Sequence, residues 1–169
     1  VKINNSNIKY NETYWEKFKN NLEIQNYSSI YIFIEELVDI VYSLNTKYNK
    51  NIRNEIDLPY LKERFNNKII DFRLVCGIIN FFANKIIDLQ APVYNDETSQ
   101  WVSISMDKLK DTWGKQIFST ALVSILKELY SKIDRIKAGI VDYQVNYLKA
   151  LLSKHGIEYE LENFKTIYN

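Results

Sequence analysis

With two prolines and four glycines in 169 residues, this chain has almost nothing that stops a helix. Proline removes a backbone donor and clashes with the preceding turn, and glycine carries an entropic cost inside a helix. Their scarcity leaves long stretches free to coil. In those stretches apolar residues recur every three or four positions, the repeat that lines up side chains on one face of an α-helix. Tyr14, Trp15, Phe18 and Leu22 form one such face, opened by Asn11 as a cap. Phe33, Leu37, Val41 and Leu44 form a second behind Ser28 or Ser29, and the Lys/Asn-rich stretch Asn45–Asn54 reads as a loop or frayed end. Asp57 followed by Pro59 is a helix start, because proline fits the first turn where its missing N–H costs nothing.

The clearest repeat is Phe72, Val75, Ile79, Phe82, Ile86 and Leu89, ended by Pro92. Val93–Gln100 reads as a polar turn in which Asn95 or Asp96 caps a short helix. A long helix then carries Phe118, Leu122, Ile125, Leu129, Ile133, Ile136 and Ile140, and continues over Val141–Lys154 with Val145, Leu148 and Leu152. Gly139 interrupts it and predicts a bend or a close helix crossing. Gly156 sits where a C-terminal cap is expected, His155 suits the negative end of the helix dipole, and Ile157–Tyr168 forms a last short helix. The fold expected is all-α: a single antiparallel bundle of about seven helices, one domain over 1–169 with a polar N-terminal tail at 1–10.

Composition narrows the function classes. Hydrophobic residues at 46% and charged ones at 25% are the proportions of an ordered globular chain rather than a disordered one. The 22 basic residues against 21 acidic ones leave a net charge of +1, without the basic excess of a nucleic-acid surface. One Cys and one His exclude a disulfide framework and a Cys/His metal centre. Charge-free runs such as Leu74–Asn84 and Gln116–Leu126 fall short of the roughly 18 apolar residues of a membrane span. A soluble, cytoplasmic protein is expected.

Catalytic constellations are scarce. Cys76 has no His placed to activate it and reads as a packed thiol; His155 reads as structural or solvated. Glu35 and Asp39, at i, i+4, could hold a cation in a metal-dependent enzyme, but a solvated helix face explains them more simply. Glu158, Glu160 and Glu162 read as a charged surface. No phosphate loop, zinc spacing or nucleophile elbow is present. No enzyme, cofactor or metal site is expected. Binding surfaces are a better prospect: Asp107–Lys154 holds 9 basic against 5 acidic residues, and 13 tyrosines supply side chains suited to core edges and interfaces.

Three stretches carry a resemblance. Lys85–Glu97 reads Lys-Ile-Ile-Asp-Leu-Gln-Ala-Pro-Val-Tyr-Asn-Asp-Glu. Ile133–Leu148 contains Ile136-Lys137 and Asp142-Tyr143, and Ile157-Glu158-Tyr159-Glu160 is followed by Phe164. In order and separation these are similar to the helix plus Cys-Ala-Pro-x-Arg-Asp-Glu, the Met-Lys-x-Asp-Met-Ala-Asn-Phe and the Val-Glu-Tyr-Glu-Arg-x-x-Phe stretches of the T-complex protein 11 family. The chain departs from that pattern at Gln90 for Cys, Tyr94-Asn95 for Arg, Gly139 for an acidic residue and Leu161 for Arg. Family members run further, so the chain is expected to be the N-terminal half of the usual domain or a short version of it.

The resemblance implies a non-enzymatic regulatory or scaffold protein linked to cyclic-AMP/protein kinase A signalling, and to flagellar function in animals. Its partners would be proteins, kinase A pathway components among them, in the cytoplasm or in the flagellum of a ciliated cell. The residues expected to bind them are Ala91, Pro92, Asp96 and Glu97 in the turn, with Lys137, Asp142 and Tyr143 in the later helix. Ala91-Pro92 before Asp96-Glu97 is also a serviceable helix stop and restart. A second reading comes from Asp111-Thr112-Trp113-Gly114-Lys115 with Ile117 and Phe118, which faintly resembles the Asn-Trp-Gly-Arg segment of Bcl-2-like proteins. It implies an apolar groove for an amphipathic peptide helix, with Lys115 in place of the Arg and unable to make its bidentate contact.

Overall fold

The computed structural model describes residues 9–44 and 52–155. Among these residues six α-helices follow in order: α1 (Glu12–Glu23), α2 (Ser28–Leu44), α3 (Leu58–Asn66), α4 (Phe72–Leu89), α5 (Asn95–Thr112) and α6 (Phe118–His155), with single 3-10 turns at Ile52–Asn54 and Pro92–Tyr94. Among the described residues there is no strand, and the fold is all-α. The seventh helix expected at 157–168, the Gly156 cap and the three late glutamates lie outside the described residues.

Helix starts are set by short polar side chains that take the orphan N–H groups of the first turn. Asn11 accepts from the Tyr14 N–H at 2.9 Å, Asp57 from Tyr60 at 3.0 Å and Asp71 from Leu74 at 2.8 Å. Asp71 also receives the Arg64 guanidinium at 3.0 Å, tying the end of α3 to the start of α4. Ahead of α2 the Asn26 side chain accepts from both the N–H and the hydroxyl of Ser28, so the helix opens one step earlier in the chain than its serines suggest.

The spine is α6. Helices α1, α2, α4 and α5 all pack on it, α5 also packs on α4, and α3 is held against α2. The inner face of α6 is buried from Ala121 to Ile136, with Leu129 and Ile133 fully enclosed. Against it lie Phe33, Leu37 and Val38 from α2, Ile79, Phe82 and Ile86 from α4, and Leu109 from α5. An aromatic cluster of Tyr10, Tyr14, Trp15, Phe18, Phe33 and Tyr130 closes one end. Tyr10 donates its hydroxyl to Glu36, and Lys9 pairs with the same carboxylate at 2.6 Å, so part of the expected polar tail packs on the fold.

Two expectations are corrected. The short helix after the Pro92 turn is 18 residues long, and neither Asn95 nor Asp96 caps it: the 3-10 turn feeds directly into α5, while the Asn95 side chain accepts from Gln90 at 3.0 Å. Gly139 is neither a break nor a close crossing, because α6 runs unbroken past it and a Cβ placed there would meet nothing within 4 Å. At 38 residues α6 is about 57 Å long, and it outreaches the bundle. From 141 to 154 its side chains are exposed or only half-covered.

Candidate functional site

Where the α4–α5 turn meets the outer part of α6, the structure forms a cavity of about 520 Å³ lined by Leu89, Gln90, Ala91, Tyr94, Arg135, Ile136, Gly139, Ile140, Tyr143 and Gln144. Leu89, Ala91, Ile136 and Ile140 give it apolar walls. Gly139 lines it without a side chain, and a Cβ placed there would meet nothing within 4 Å. The cavity exists because α4 must stop: Gln90 leaves the helical region with ψ at 164°, its N–H still bonding to the Ile86 carbonyl, and Ala91 stays extended before Pro92. The buried Gln90 amide is held by Asn95 and Thr98, both at 3.0 Å, so the turn is fixed from inside.

Charge fixes the same corner from outside. Glu97 accepts from Lys132 at 3.2 Å and from Arg135 at 3.3 Å, and Lys132 also lies 3.6 Å from Glu128. Lys132 is 3% exposed, with its ammonium 5.4 Å from the Trp101 ring. A buried ammonium needs an anion, and Glu97 supplies it from the first turn of α5. The Lys132 hydrogen bond, then its charge and that of Arg135, hold the Glu97 carboxyl below the ordinary carboxylate range. The Arg135 guanidinium stacks 4.0 Å over the Tyr94 ring.

Of the residues singled out from the sequence, Ala91 and Tyr143 line this one cavity. Pro92 opens the 3-10 turn beside it, and Asp96 is exposed in the first turn of α5, where a carboxylate suits the helix dipole. Glu97 is engaged in joining α5 to α6. Asp142 is exposed on α6. Lys137 is elsewhere: it lines a separate cavity of about 320 Å³ with Tyr10, Glu36, Asp39 and Tyr130. Residues 137 and 143 sit six positions apart on a continuous helix, which turns them roughly 120° from each other. The residues the sequence reading missed are Arg135, Lys132, Tyr94 and Gln90. A lysine three positions after Leu129 and one before Ile133, on the inner face of a helix, was the available signal that a carboxylate must meet it.

The remaining candidates take structural places. Cys76 is half-buried against the core and burial pushes its thiol up, away from nucleophilic reactivity. Asp39 is paired with Arg53 at 2.7 Å, and among the described residues no group of three or more His, Cys, Asp or Glu could hold a metal. Trp113 stands edge-on to Phe72 and Phe118, and Gly114 takes φ 76°, so the Trp-Gly pair builds the α5–α6 corner. Lys115 lines a neighbouring cavity of about 420 Å³ with Leu22, Glu23 and Tyr27.

Together these features define an all-α protein with an apolar, arginine-edged cavity at a helix turn. The family model of T-complex protein 11 matches residues 7–169, and the chain belongs to that family. No solved structure matches it. No helix among the described residues is long and apolar enough to cross a membrane.

Proposed function

We propose that the chain is a non-enzymatic helical regulator that binds protein partners, with components of cyclic-AMP/protein kinase A signalling as those partners and the cytoplasm or a flagellum as its place. Family membership supports the general reading, since this is not a known family of enzymes. The observation that carries the docking part is the junction of two separately chosen segments at one cavity, Ala91 from the turn and Tyr143 from α6. From that junction exposed apolar side chains continue outward: Val93 is 80% exposed, and Tyr143, Tyr147 and Leu151 form an i, i+4, i+8 line on the part of α6 that outreaches the bundle. Tyrosine-rich apolar surface of this kind is the material of protein interfaces.

The test is affinity capture from source cells with wild type beside an Asp96→Lys/Tyr143→Ala form, followed by direct binding of purified kinase A regulatory and catalytic subunits. Wild type should bind a kinase subunit, and the double variant should lose at least tenfold in affinity with its helical content unchanged. Equal binding by both forms, or no binding of either subunit, overturns the proposal.

A further inference from the structure

The cavity at the α4–α5 turn also has the chemistry of a small-ligand site. Its volume, about 520 Å³, lies in the range of sites that enclose small molecules, and its walls are apolar with few polar groups. The most informative of those groups is Arg135. Its Nη1 is 3.3 Å from Glu97 and its plane lies on Tyr94, but Nε and Nη2 are buried and have no hydrogen-bond partner. Those two atoms form one edge of the guanidinium fork, the edge that takes a carboxylate bidentately. Buried donors left without an acceptor are costly and rare. Both atoms are closed to solvent where the side chain sits, so a carboxylate reaches this edge by drawing the guanidinium off Glu97, which keeps its bond to Lys132. Among the described residues no carboxylate lines the cavity: besides Arg135, the polar side chains there are Gln90, Tyr94, Tyr143 and Gln144.

We propose that this cavity binds a small amphipathic carboxylate, its apolar body against Leu89, Ile136 and Ile140 over the bare Gly139 backbone and its carboxylate on the Nε/Nη2 edge of Arg135. Binding of such a ligand to the isolated chain requires no protein partner, so it stands or falls separately from kinase docking.

The experiment titrates the chain with decanoate, decanol and decylammonium, each below its aggregation concentration, by calorimetry and by amide chemical shifts. Decanoate should bind 1:1, at least tenfold tighter than decanol or decylammonium, with shifts centred on 89–94 and 135–144. Arg135→Gln should weaken decanoate at least tenfold and leave decanol unchanged. Arg135→Lys, which keeps the charge and the Glu97 pairing but not the fork, should also weaken it and covers the case in which the glutamine form fails to fold. Gly139→Leu adds bulk at a lining position where a Cβ meets nothing within 4 Å, and should abolish binding of both decanoate and decanol with no loss of thermal stability. Gly77→Leu, at another helical glycine with open space around it, should change nothing. Decanoate binding no tighter than decanol or decylammonium, retention of decanoate by Gly139→Leu, or shifts centred elsewhere would overturn the proposal.

Discussion

Lys132 shows how one side chain can decide a corner of the molecule. Its ammonium is almost wholly enclosed, and Glu97 meets it from the next helix. Charge reversal at Glu97 therefore acts on the fold as well as on any surface: Glu97→Lys should lower the melting temperature clearly, Glu97→Gln less, and adding Lys132→Met to Glu97→Lys should recover most of the loss in a thermal melt. Asp96, exposed and outside that pairing, is the position at which charge can be reversed to probe the surface alone. Because Glu97 titrates below the ordinary carboxylate range in the folded state, its contribution is complete above the unfolded carboxylate pKa of about 4.3 and is lost as pH falls through the lower folded value. Melts of wild type and Glu97→Gln should accordingly draw together as pH falls from about 4.3 and converge once it has passed that lower folded value. At Leu129, fully buried on the spine, truncation to Ala should cost about 2–5 kcal/mol in a denaturant titration.

Among the helices, α6 is the element that carries both packing and surface. Its inner line from Leu122 to Ile136 follows the three-and-four spacing, and that spacing made it legible in advance, as it did for α4; the Asn11 and Asp57 helix starts were legible from residue type. What spacing cannot register is whether a helix has anything to pack against, so nothing in Val145, Leu148 or Leu152 distinguishes an overhanging segment from a buried one. Gly139 misled for a related reason. A glycine within a helix signals a bend, a crossing or an open face equally, and only the neighbours tell which. Here the surroundings are open, so Gly139→Ala should stabilise the chain by about 0.5–1 kcal/mol, the usual helix preference for alanine, measured by chemical denaturation. The Pro92 turn was legible as a stop but not as the wall of a cavity, since the partner wall lies more than forty residues on, at Ile136–Gln144. Arg135 was hidden for the same reason: its significance lies in the ring of Tyr94 and the carboxylate of Glu97, contacts that no local pattern encodes.

For the molecule as a whole, an all-α bundle of the T-complex protein 11 family packs its core on α6 from Ala121 to Ile136, with an apolar cavity and the exposed Tyr143, Tyr147 and Leu151 farther along the same helix. That division makes one face the expected place of protein contact. The most direct measurement is site-specific photo-crosslinking of the chain to purified kinase A subunits, with a benzophenone side chain placed at Val93, at Tyr143 or at Ile24, which is 70% exposed in the α1–α2 connection. Covalent adducts from positions 93 and 143 and none from 24 are the expected pattern. Adducts from 24 alone, or from none of the three, would mean that the cavity face is not where this protein meets its partner.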